Sequence, residues 1–169
     1  ISDAAQVAGL GARMGETAGV KVLVHVAAIG NTGASWRKVL DVDLVAVKLV
    51  ADAVGPHMVR GGVAIFISST GAKFCPRDER LYALIDDPLR PDLADRIRDL
   101  AGRELNFIEA YFIAKRGMNR LAERLAVEWG ERQVRALSIS PGLIDSTMGR
   151  TSGKVVTMVD DKGESRSTT

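Results

Sequence analysis

Residues 61–71 read Gly-Gly-Val-Ala-Ile-Phe-Ile-Ser-Ser-Thr-Gly, an apolar run that ends in hydroxyl groups and a glycine. A continuous apolar run of this length, bounded by turn residues, is typical of a parallel strand that is buried on both faces. Ser69 then lies just past the carboxyl end of the strand, and strand alternation turns Ser68 to the opposite face. Because open α/β sheets bind their ligands beyond the carboxyl ends of the strands, this position is a candidate site.

The most amphipathic helix of the chain is predicted downstream of this strand, at 107–129. Tyr111 and Lys115 stand four residues apart on it, so their side chains share one helical face. A phenol titrates near ~10, and a neighbouring positive charge lowers that pKa. The pair therefore predicts a proton donor that works near neutral pH. The alternative is an ordinary pair of residues at a packing interface.

Periodicity predicts further helices at 3–17 and 36–54 and further strands on both sides of the first one. The last strand is followed by Ser-Pro-Gly-Leu-Ile-Asp-Ser-Thr at 140–147. We expect an α/β layered domain with helices covering both faces of a parallel sheet. The predicted strands lie near 20–27, 62–68 and 133–139.

A serine at a strand end, a Tyr/Lys helix and a Pro-Gly turn with hydroxyls, in this order, resemble the short-chain dehydrogenase/reductase family. Residues 23–29, Leu-Val-His-Val-Ala-Ala-Ile, are similar to the family's Leu-Val-Asn-Asn-Ala-Gly-Ile, and residues 36–44 to its helix carrying Val-Asn-Leu. The resemblance runs from Ile1 to about Gly149. It implies a Rossmann-like doubly wound parallel sheet in which the predicted strands are adjacent, in sequence order.

The resemblance also implies an oxidoreductase that transfers hydride between NAD or NADP and a ketone or secondary alcohol. Tyr111 would be the general acid or base at the carbonyl oxygen, and Ser69 would donate to the same oxygen. Lys115 would lower the pKa of the phenol and bind the nicotinamide ribose. A function of another class stays open, that of a non-catalytic remnant acting as a binding or scaffolding subunit.

Further site residues follow from the same resemblance. Asp43 stands where the family usually has Asn, which holds a water behind the lysine. A carboxylate there would favour protonated Lys115 and partly cancel its field at Tyr111; the alternative is a helix aspartate on a solvated face. The implied cofactor-binding residues are Ala27, Ala28, Tyr111, Lys115, Pro141, Gly142, Ile144, Ser146 and Thr147.

An enlarged segment, 73–106, separates the serine from the tyrosine, and a polar helix is predicted within it at 92–103. A long segment over an active-site rim is more often functional than idle. It resembles the 3α-hydroxysteroid dehydrogenase/carbonyl reductase branch of the family. That implies a small-molecule carbonyl or alcohol substrate, with steroid-like compounds among the candidates. It also implies a homodimer, because such a segment obstructs the helix packing that builds tetramers.

By the same comparison, the sequence begins in mid-fold and lacks the family's first strands and last strand. No G-x-G-x-x-G-like run opens a helix after a strand, so the phosphate-binding turn is expected outside this chain. Residues 1–149 are expected to form a partial dinucleotide-binding catalytic domain. The polar tail, 150–169, is expected to be disordered.

Composition argues against several other classes of protein. The net charge is +2 and basic and acidic residues are interspersed, which argues against nucleic-acid binding. No apolar stretch approaches the ~20 residues of a membrane span. The single cysteine, Cys75, cannot form an internal disulfide and fits a reducing compartment. His25 and His57 have no metal-ligand spacing and are expected to be core or surface histidines. We therefore expect a cytoplasmic protein without a metal.

Overall fold

The computed structural model describes residues 1–30, 33–142, 144, 158–159 and 165–166. At its centre lies a parallel sheet with the strand order β1-β2-β3. The strands are β1 (Val20–His25), β2 (Met58–Ile67) and β3 (Arg135–Ile139). The predicted strands, their parallel direction and their order are confirmed, and the domain is an open, incomplete Rossmann-like α/β fold.

The helices agree with the periodicity of the sequence and add one that it did not predict. Their bounds are α1 (Ala4–Gly15), α2 (Trp36–Leu40), α3 (Ala46–Val54), α4 (Glu79–Asp86), α5 (Leu93–Ala101) and α6 (Phe107–Gly130). The predicted 36–54 helix is α2 and α3 joined by a π turn, Asp41–Val45. The unpredicted helix is α4, inside the enlarged segment.

The helices of the described chain pack on one face of the sheet. Ala64 and Phe66 of β2 are fully buried in one cluster with residues of α1, α3 and α6. On the opposite face, Val24 and Leu137 are 49% and 48% exposed and flank Ile65 in register. The expectation that helices cover both faces is therefore wrong for the described residues.

The strand order explains this one-sided packing. Parallel crossovers are right-handed in nearly all proteins. Because the chain moves from β1 to β2 to β3 in the same direction across the sheet, both crossovers must place their helices on the same face. Helices on the other face require crossovers in which the chain moves across the sheet in the opposite direction. Such crossovers start at the point where the strand order reverses.

The enlarged segment forms a second apolar cluster against α2 and the first half of α6. Leu81 and Ile85 of α4 and Leu93 and Ile97 of α5 are buried in it. Charged residues attach α4 to α6 as well, because Arg120 and Arg124 both bind the carboxylate of Asp86. The segment is thus a folded part of the domain that lies beside the amino-terminal half of α6.

Two short pieces of the tail are described. Met158–Val159 (β4) pairs antiparallel with Ser165–Arg166 (β5). The other residues of 150–169 lie outside the described part of the chain. Among the helices that the structure describes, none has both the length and the apolar character of a membrane span.

A glycine in α6 sets how closely this helix approaches the rest of the domain. A Cβ at Gly117 would lie 2.5 Å from Leu44 Cδ1 and 3.4 Å from Ile85 Cβ. Leu44 belongs to the π turn and Ile85 to α4, and both are fully buried. The absence of a side chain at this position therefore brings α6, the π turn and α4 together.

We expect Gly117→Ala to lower the free energy of unfolding. Overpacking a core usually costs about 1–3 kcal/mol, and the better helix propensity of alanine offsets about 1 kcal/mol of that cost. Gly130→Ala is the matched control, because it lies in the same helix and nothing stands within 4 Å of its added Cβ. Urea unfolding of both variants measures the difference. Equal stability of the two variants would contradict the close approach.

Candidate active site

The two serines after β2 have different environments. Ser68 is 5% exposed, and its Oγ donates to the backbone oxygen of Lys115 at 3.0 Å. Ser69 is half-buried, and its Oγ accepts from the Gly71 backbone N at 3.0 Å, which begins a short 3₁₀ turn. Alternation along the strand thus turns Ser68 into the domain and leaves the Ser69 hydroxyl at the carboxyl edge of the sheet.

Tyr111 lies near this hydroxyl, on the first turns of α6. The Tyr111 ring stacks on the Phe107 ring with the centroids 6.3 Å apart. Lys115 Nζ lies 5.4 Å from the centroid of the Tyr111 ring. Helix α6 begins at a capping box. The Asn106 side chain accepts a hydrogen bond from the Glu109 backbone N, and the Glu109 side chain accepts one from the Asn106 backbone N. This cap fixes the start of the helix and therefore the place of the tyrosine.

Burial raises the pKa of Tyr111, and the negative charge of Asp43 raises it further. A hydrogen bond with the Ser69 side chain acts in the opposite direction and lowers the pKa. The net direction is upward, opposite to the effect expected from Lys115 alone. The phenol therefore stays protonated at neutral pH.

Lys115 and Asp43 form a buried ion pair behind the tyrosine. The two side chains are 2% and 0% exposed, and Nζ lies 3.3 Å from Asp43 Oδ2. Burial raises the pKa of the Asp43 carboxyl and lowers the pKa of the Lys115 amine, while each charge stabilises the other. Asp43 Oδ2 has no hydrogen-bond partner within the described residues, although Lys115 Nζ lies 3.3 Å away. The two groups therefore form an ion pair without a well-directed hydrogen bond. Asp43 therefore compensates the charge of Lys115 through space.

The local backbone explains why Asp43 points into the domain. It lies in the π turn, where the helix is widened by one residue, a feature often found at functional sites. Its Oδ1 accepts from the Ile29 backbone N at 2.9 Å, which attaches the loop after β1 to this helix. Lys115 Nζ also donates weakly to the Ile67 backbone oxygen at 3.5 Å. The loop after β1, the π turn, the end of β2 and α6 thus converge on one ion pair.

The described residues among those expected to contact a cofactor follow the ends of β1 and β3. Ala27 and Ala28 are half-buried in the loop after β1, and Gly142 is exposed after β3. The Pro141 backbone oxygen accepts from the Thr70 backbone N at 2.9 Å, which joins the ends of β3 and β2. Ile144 is 59% exposed, whereas Ser146 and Thr147 lie outside the described residues.

These residues fit the nicotinamide-ribose end of a dinucleotide. Among the described residues, nothing stands within 4 Å of a Cβ built on Gly142, so this part of the chain leaves room for a flat ring at the backbone there. Lys115 Nζ has three protons to donate and contacts only Asp43 and Ile67 within the described part of the chain. One ammonium proton is therefore available for a ribose hydroxyl.

Sequence reasoning did not place His25 in this site. It is 4% exposed at the end of β1, and the charge of Lys115 acts on it. Its position at the end of a strand that leads to the carboxyl edge was the signal that could have identified it. Cys75 is buried, and burial raises its thiol pKa to about 11, which is typical of an unreactive cysteine. The described residues contain no cluster of His, Cys, Asp and Glu suited to a metal.

Part of the chain matches a family of known proteins. A family model described as Enoyl-(Acyl carrier protein) reductase matches residues 99–167, which include α6 and β3. No curated protein sequence matches the chain.

Several solved structures are similar to the chain. The 3-alpha-hydroxysteroid dehydrogenase from Pseudomonas sp. B-0831, complexed with NADH, is 24% identical with a TM-score of 0.67 and covers 94% of this chain and 59% of its own. A short chain dehydrogenase from Salmonella enterica serovar Typhi is 18% identical with a TM-score of 0.63, over 91% of this chain and 56% of its own. The ligand-free aldohexose dehydrogenase of Thermoplasma acidophilum is 19% identical with a TM-score of 0.62, over 95% and 55%.

These similarities confirm the Rossmann-like fold and the resemblance to short-chain dehydrogenases/reductases. At this level of identity they establish the fold alone. The chain spans between 55% and 59% of the length of the three solved proteins.

Asp43→Asn tests the electrostatics of the site. It removes a negative charge that raises the pKa of both Tyr111 and Lys115, so we expect both pKa values to fall. The ¹³C chemical shift of the tyrosine Cζ follows the titration of Tyr111. Asp52→Asn is the control, because it removes a carboxylate that is paired with Lys48 on the surface of α3. An unchanged Tyr111 titration in Asp43→Asn would contradict the coupling.

Proposed function

We propose that the chain is the catalytic part of an NAD(P)-dependent short-chain dehydrogenase/reductase that transfers hydride between the cofactor and a ketone or secondary alcohol. The observation that carries the proposal is the meeting of Tyr111, Ser69 and a buried Lys115 at the carboxyl edge of a parallel sheet. Ligands bind at that edge in open α/β folds.

The chain supplies position and a proton. Tyr111 gives its phenolic proton to the carbonyl oxygen in reduction and accepts it in oxidation. Ser69 donates a hydrogen bond to the same oxygen and holds it in line. Bound NAD(P)H supplies the hydride, and the chemistry of that step belongs to the cofactor.

Lys115 and the strand ends provide the place for the nicotinamide half of the cofactor. The ammonium of Lys115 binds a ribose hydroxyl with the proton that Asp43 and Ile67 leave available. The backbone around Ala27, Ala28 and Gly142 admits the flat ring. By resemblance, Pro141, Ile144, Ser146 and Thr147 complete the turn that contacts the carboxamide.

The raised pKa of Tyr111 affects how the rates of the two directions depend on pH. At neutral pH the phenol is protonated, which is the form that reduction of a ketone requires. Oxidation needs the phenolate and gains from alkaline pH. The activity of the protein in the oxidative direction should therefore rise with pH more steeply than in the reductive direction.

The surface next to Tyr111 supports an apolar, ring-shaped substrate of the steroid-like kind. Phe74 is 68% exposed, and its ring lies 5.3 Å from that of Phe112, which is in turn 6.3 Å from that of Tyr111. With Phe107 stacked on the other side, aromatic groups extend from both sides of the proton donor. Flat apolar rings pack well on such groups.

A second candidate function is favoured by the Asp43–Lys115 pair. A carboxylate 3.3 Å from the ammonium weakens the positive field that a catalytic lysine exerts on its tyrosine. A binding or scaffolding subunit that retains the fold without the reaction would tolerate this pair. The kinetic variants below distinguish the two functions.

Tyr111→Phe removes the hydroxyl and keeps the ring, so folding should be preserved. Turnover of the whole protein should fall by about 10²–10⁴, the contribution of a positioned proton donor. Lys115→Ala should also weaken cofactor binding, measured by fluorescence titration with NAD(P)H, whereas Tyr111→Phe should not. Tyr82→Phe is the matched control, because Tyr82 packs under Arg116 and Arg120 away from the site. Wild-type turnover in Tyr111→Phe would overturn the proposed mechanism, whereas a wild-type protein without turnover on any ketone or alcohol would favour the scaffolding function.

The serine pair gives an internal comparison. Ser69→Ala should lower turnover by about 10² or more, as the loss of one hydrogen-bond donor at the reacting oxygen does. Ser68→Ala removes a buried hydrogen bond to the Lys115 backbone and should lower stability by about 1–3 kcal/mol, with a smaller effect on turnover. Steady-state kinetics and urea unfolding of the two variants separate these effects. The reverse pattern would assign the site role to Ser68.

We further propose that the whole protein is a homodimer rather than a tetramer. Helix α4 lies against α6, where Arg120 and Arg124 bind Asp86 and Arg120 stacks on Tyr82 at 4.6 Å. By the family resemblance, subunits pack through α6 and the 36–54 helix, and the enlarged segment lies next to that surface. Light scattering should give the mass of a dimer, and a stable tetramer would contradict the proposal.

A further inference from the structure

The ring of Tyr111 has a neighbour from its own helix on each side. Phe107 lies one turn before it, and the two rings are stacked with an interplanar angle of 13° and their centroids 6.3 Å apart. Lys115 lies one turn after it, with Nζ 5.4 Å from the centroid of the Tyr111 ring. These separations lie within the ranges of aromatic stacking and of cation–π contact. The three side chains therefore form one row along α6, at positions i, i+4 and i+8.

Phe107 differs from a phenylalanine of the core. Phe66 is fully buried in the main apolar cluster, whereas Phe107 is half-buried and packs only against the edge of the second cluster. Hydrophobic stabilisation scales with the apolar area removed from water, so a half-exposed ring contributes less of it than a buried one. The ring on which Phe107 stacks is that of the candidate proton donor. This contact explains the presence of a phenylalanine here better than core packing does.

The first turn of α6 is anchored, which gives the Phe107 ring a fixed place. Phe107 directly follows the N-cap residue Asn106, whose side chain forms the capping box with Glu109. Arg103, at the end of the enlarged segment, donates to both carboxylate oxygens of Glu109, at 3.0 and 2.6 Å. Helix ends fray when their backbone groups lack partners. The cap and the arginine oppose such fraying and therefore keep the Phe107 ring against Tyr111.

The two contacts limit where the phenol of Tyr111 can lie. Side chains occupy a few staggered rotamers, and a change of χ1 at Tyr111 would break its contacts with both Phe107 and Lys115. Both contacts are made to the ring, while the hydroxyl bonds with the Ser69 side chain. A misplacement of about 1 Å at a reacting group lowers a rate by about 10²-fold. A residue that holds the ring therefore affects the reaction without contacting the substrate.

We propose that Phe107 is a positioning residue of the candidate active site, whose stacked ring holds Tyr111 against the Lys115 ammonium with the hydroxyl directed to the reacting oxygen. The proposal rests on the proposed function, because it assigns to Phe107 an effect on the proton transfer by Tyr111. It also connects the enlarged segment with the reaction, since Arg103 of that segment anchors the turn that carries Phe107.

The stacked ring also affects the titration of Tyr111. The groups that act on this phenol are Asp43 of the π turn, the Ser69 hydroxyl after β2 and, from α6 itself, the ammonium of Lys115. Burial is the largest cause of the raised pKa of Tyr111, and the Phe107 ring covers one side of it. Without that ring, water reaches the phenolate and stabilises it, so the pKa should fall.

The first test is NMR of the protein with ¹³C-labelled tyrosine, without substrate or cofactor. The chain has two tyrosines, so Tyr82→Phe identifies the signals of Tyr111. In Phe107→Leu, which keeps an apolar side chain but cannot stack, we expect faster flips of the Tyr111 ring and a lower pKa at its Cζ. Ile108→Ala is the control, because it changes the next residue of the same turn, which is 43% exposed. Ring flips and a pKa that Phe107→Leu leaves unchanged would overturn the proposal.

The second test is kinetic and uses two substitutions of Phe107. Phe107→Leu should lower kcat by about tenfold or more through misplacement of Tyr111. The affinity for NAD(P)H should stay at the wild-type value, since Asp43 and Ile67 hold the Lys115 ammonium independently of Phe107. Phe107→Tyr keeps a ring that stacks and should restore most of kcat.

The pH profile separates positioning from a purely structural role. In the oxidative direction, the rise of activity with pH should move to lower pH in Phe107→Leu and stay in place in Phe107→Tyr and Ile108→Ala. A purely structural role would lower the free energy of unfolding in urea and leave the pH profile of the folded protein unchanged. Wild-type kcat and pH profile in Phe107→Leu would overturn the proposal.

Failure of this proposal and failure of the proposed function are distinguishable. If the wild-type protein shows no turnover with any ketone or alcohol, the proposed function fails, and the NMR measurement still decides whether Phe107 holds the Tyr111 ring. If turnover is present and requires Tyr111 but is indifferent to position 107, the proposed function stands and the role of Phe107 fails.

Discussion

The burial of the Lys115 ammonium against Asp43 is the interaction around which the domain is arranged. A charged amine that is 2% exposed is tolerable only when opposite charge and hydrogen-bond acceptors surround it. The partners come from the π turn, from the Ile67 carbonyl of β2 and, through Asp43 and Ile29, from the loop after β1. Removing one member leaves an uncompensated charge in the core. The ion pair therefore fixes where α6 meets the sheet.

The shape of α6 makes this approach possible. Gly117 lies half a turn past Lys115 and has no side chain to hold the π turn away. Ser68 donates to the Lys115 backbone from the end of β2, so the helix is also attached at the level of the lysine. These contacts place Tyr111 one turn earlier, beside the Ser69 hydroxyl. The position of Tyr111 is thus a consequence of how the lysine is buried.

Local patterns predicted the strands and the Tyr/Lys helix, because each follows from a few neighbouring residues. The π turn could not be predicted, since no local pattern marks it and the partners of Asp43 within it, Ile29 and Lys115, are distant in sequence. Helix α4 is short and polar outside its buried face, and it forms because Leu81 and Ile85 pack on α2 and α6. The single helical layer, by contrast, could have been deduced. Three strands in sequence order, joined by right-handed crossovers, leave no route for a helix to the other face.

Because Asp43 compensates the charge of Lys115, the role that the family resemblance implies for this lysine changes. A lysine with an uncompensated charge would lower the pKa of its tyrosine and make proton removal easy. Here Asp43 and burial oppose that effect, and the Ser69 hydrogen bond alone acts to lower the pKa of Tyr111. In the proposed reaction, Lys115 would therefore act as a hydrogen-bond donor to the ribose rather than through the effect of its charge on Tyr111. A site of this kind keeps its phenol protonated at neutral pH, which is the form that can donate a proton.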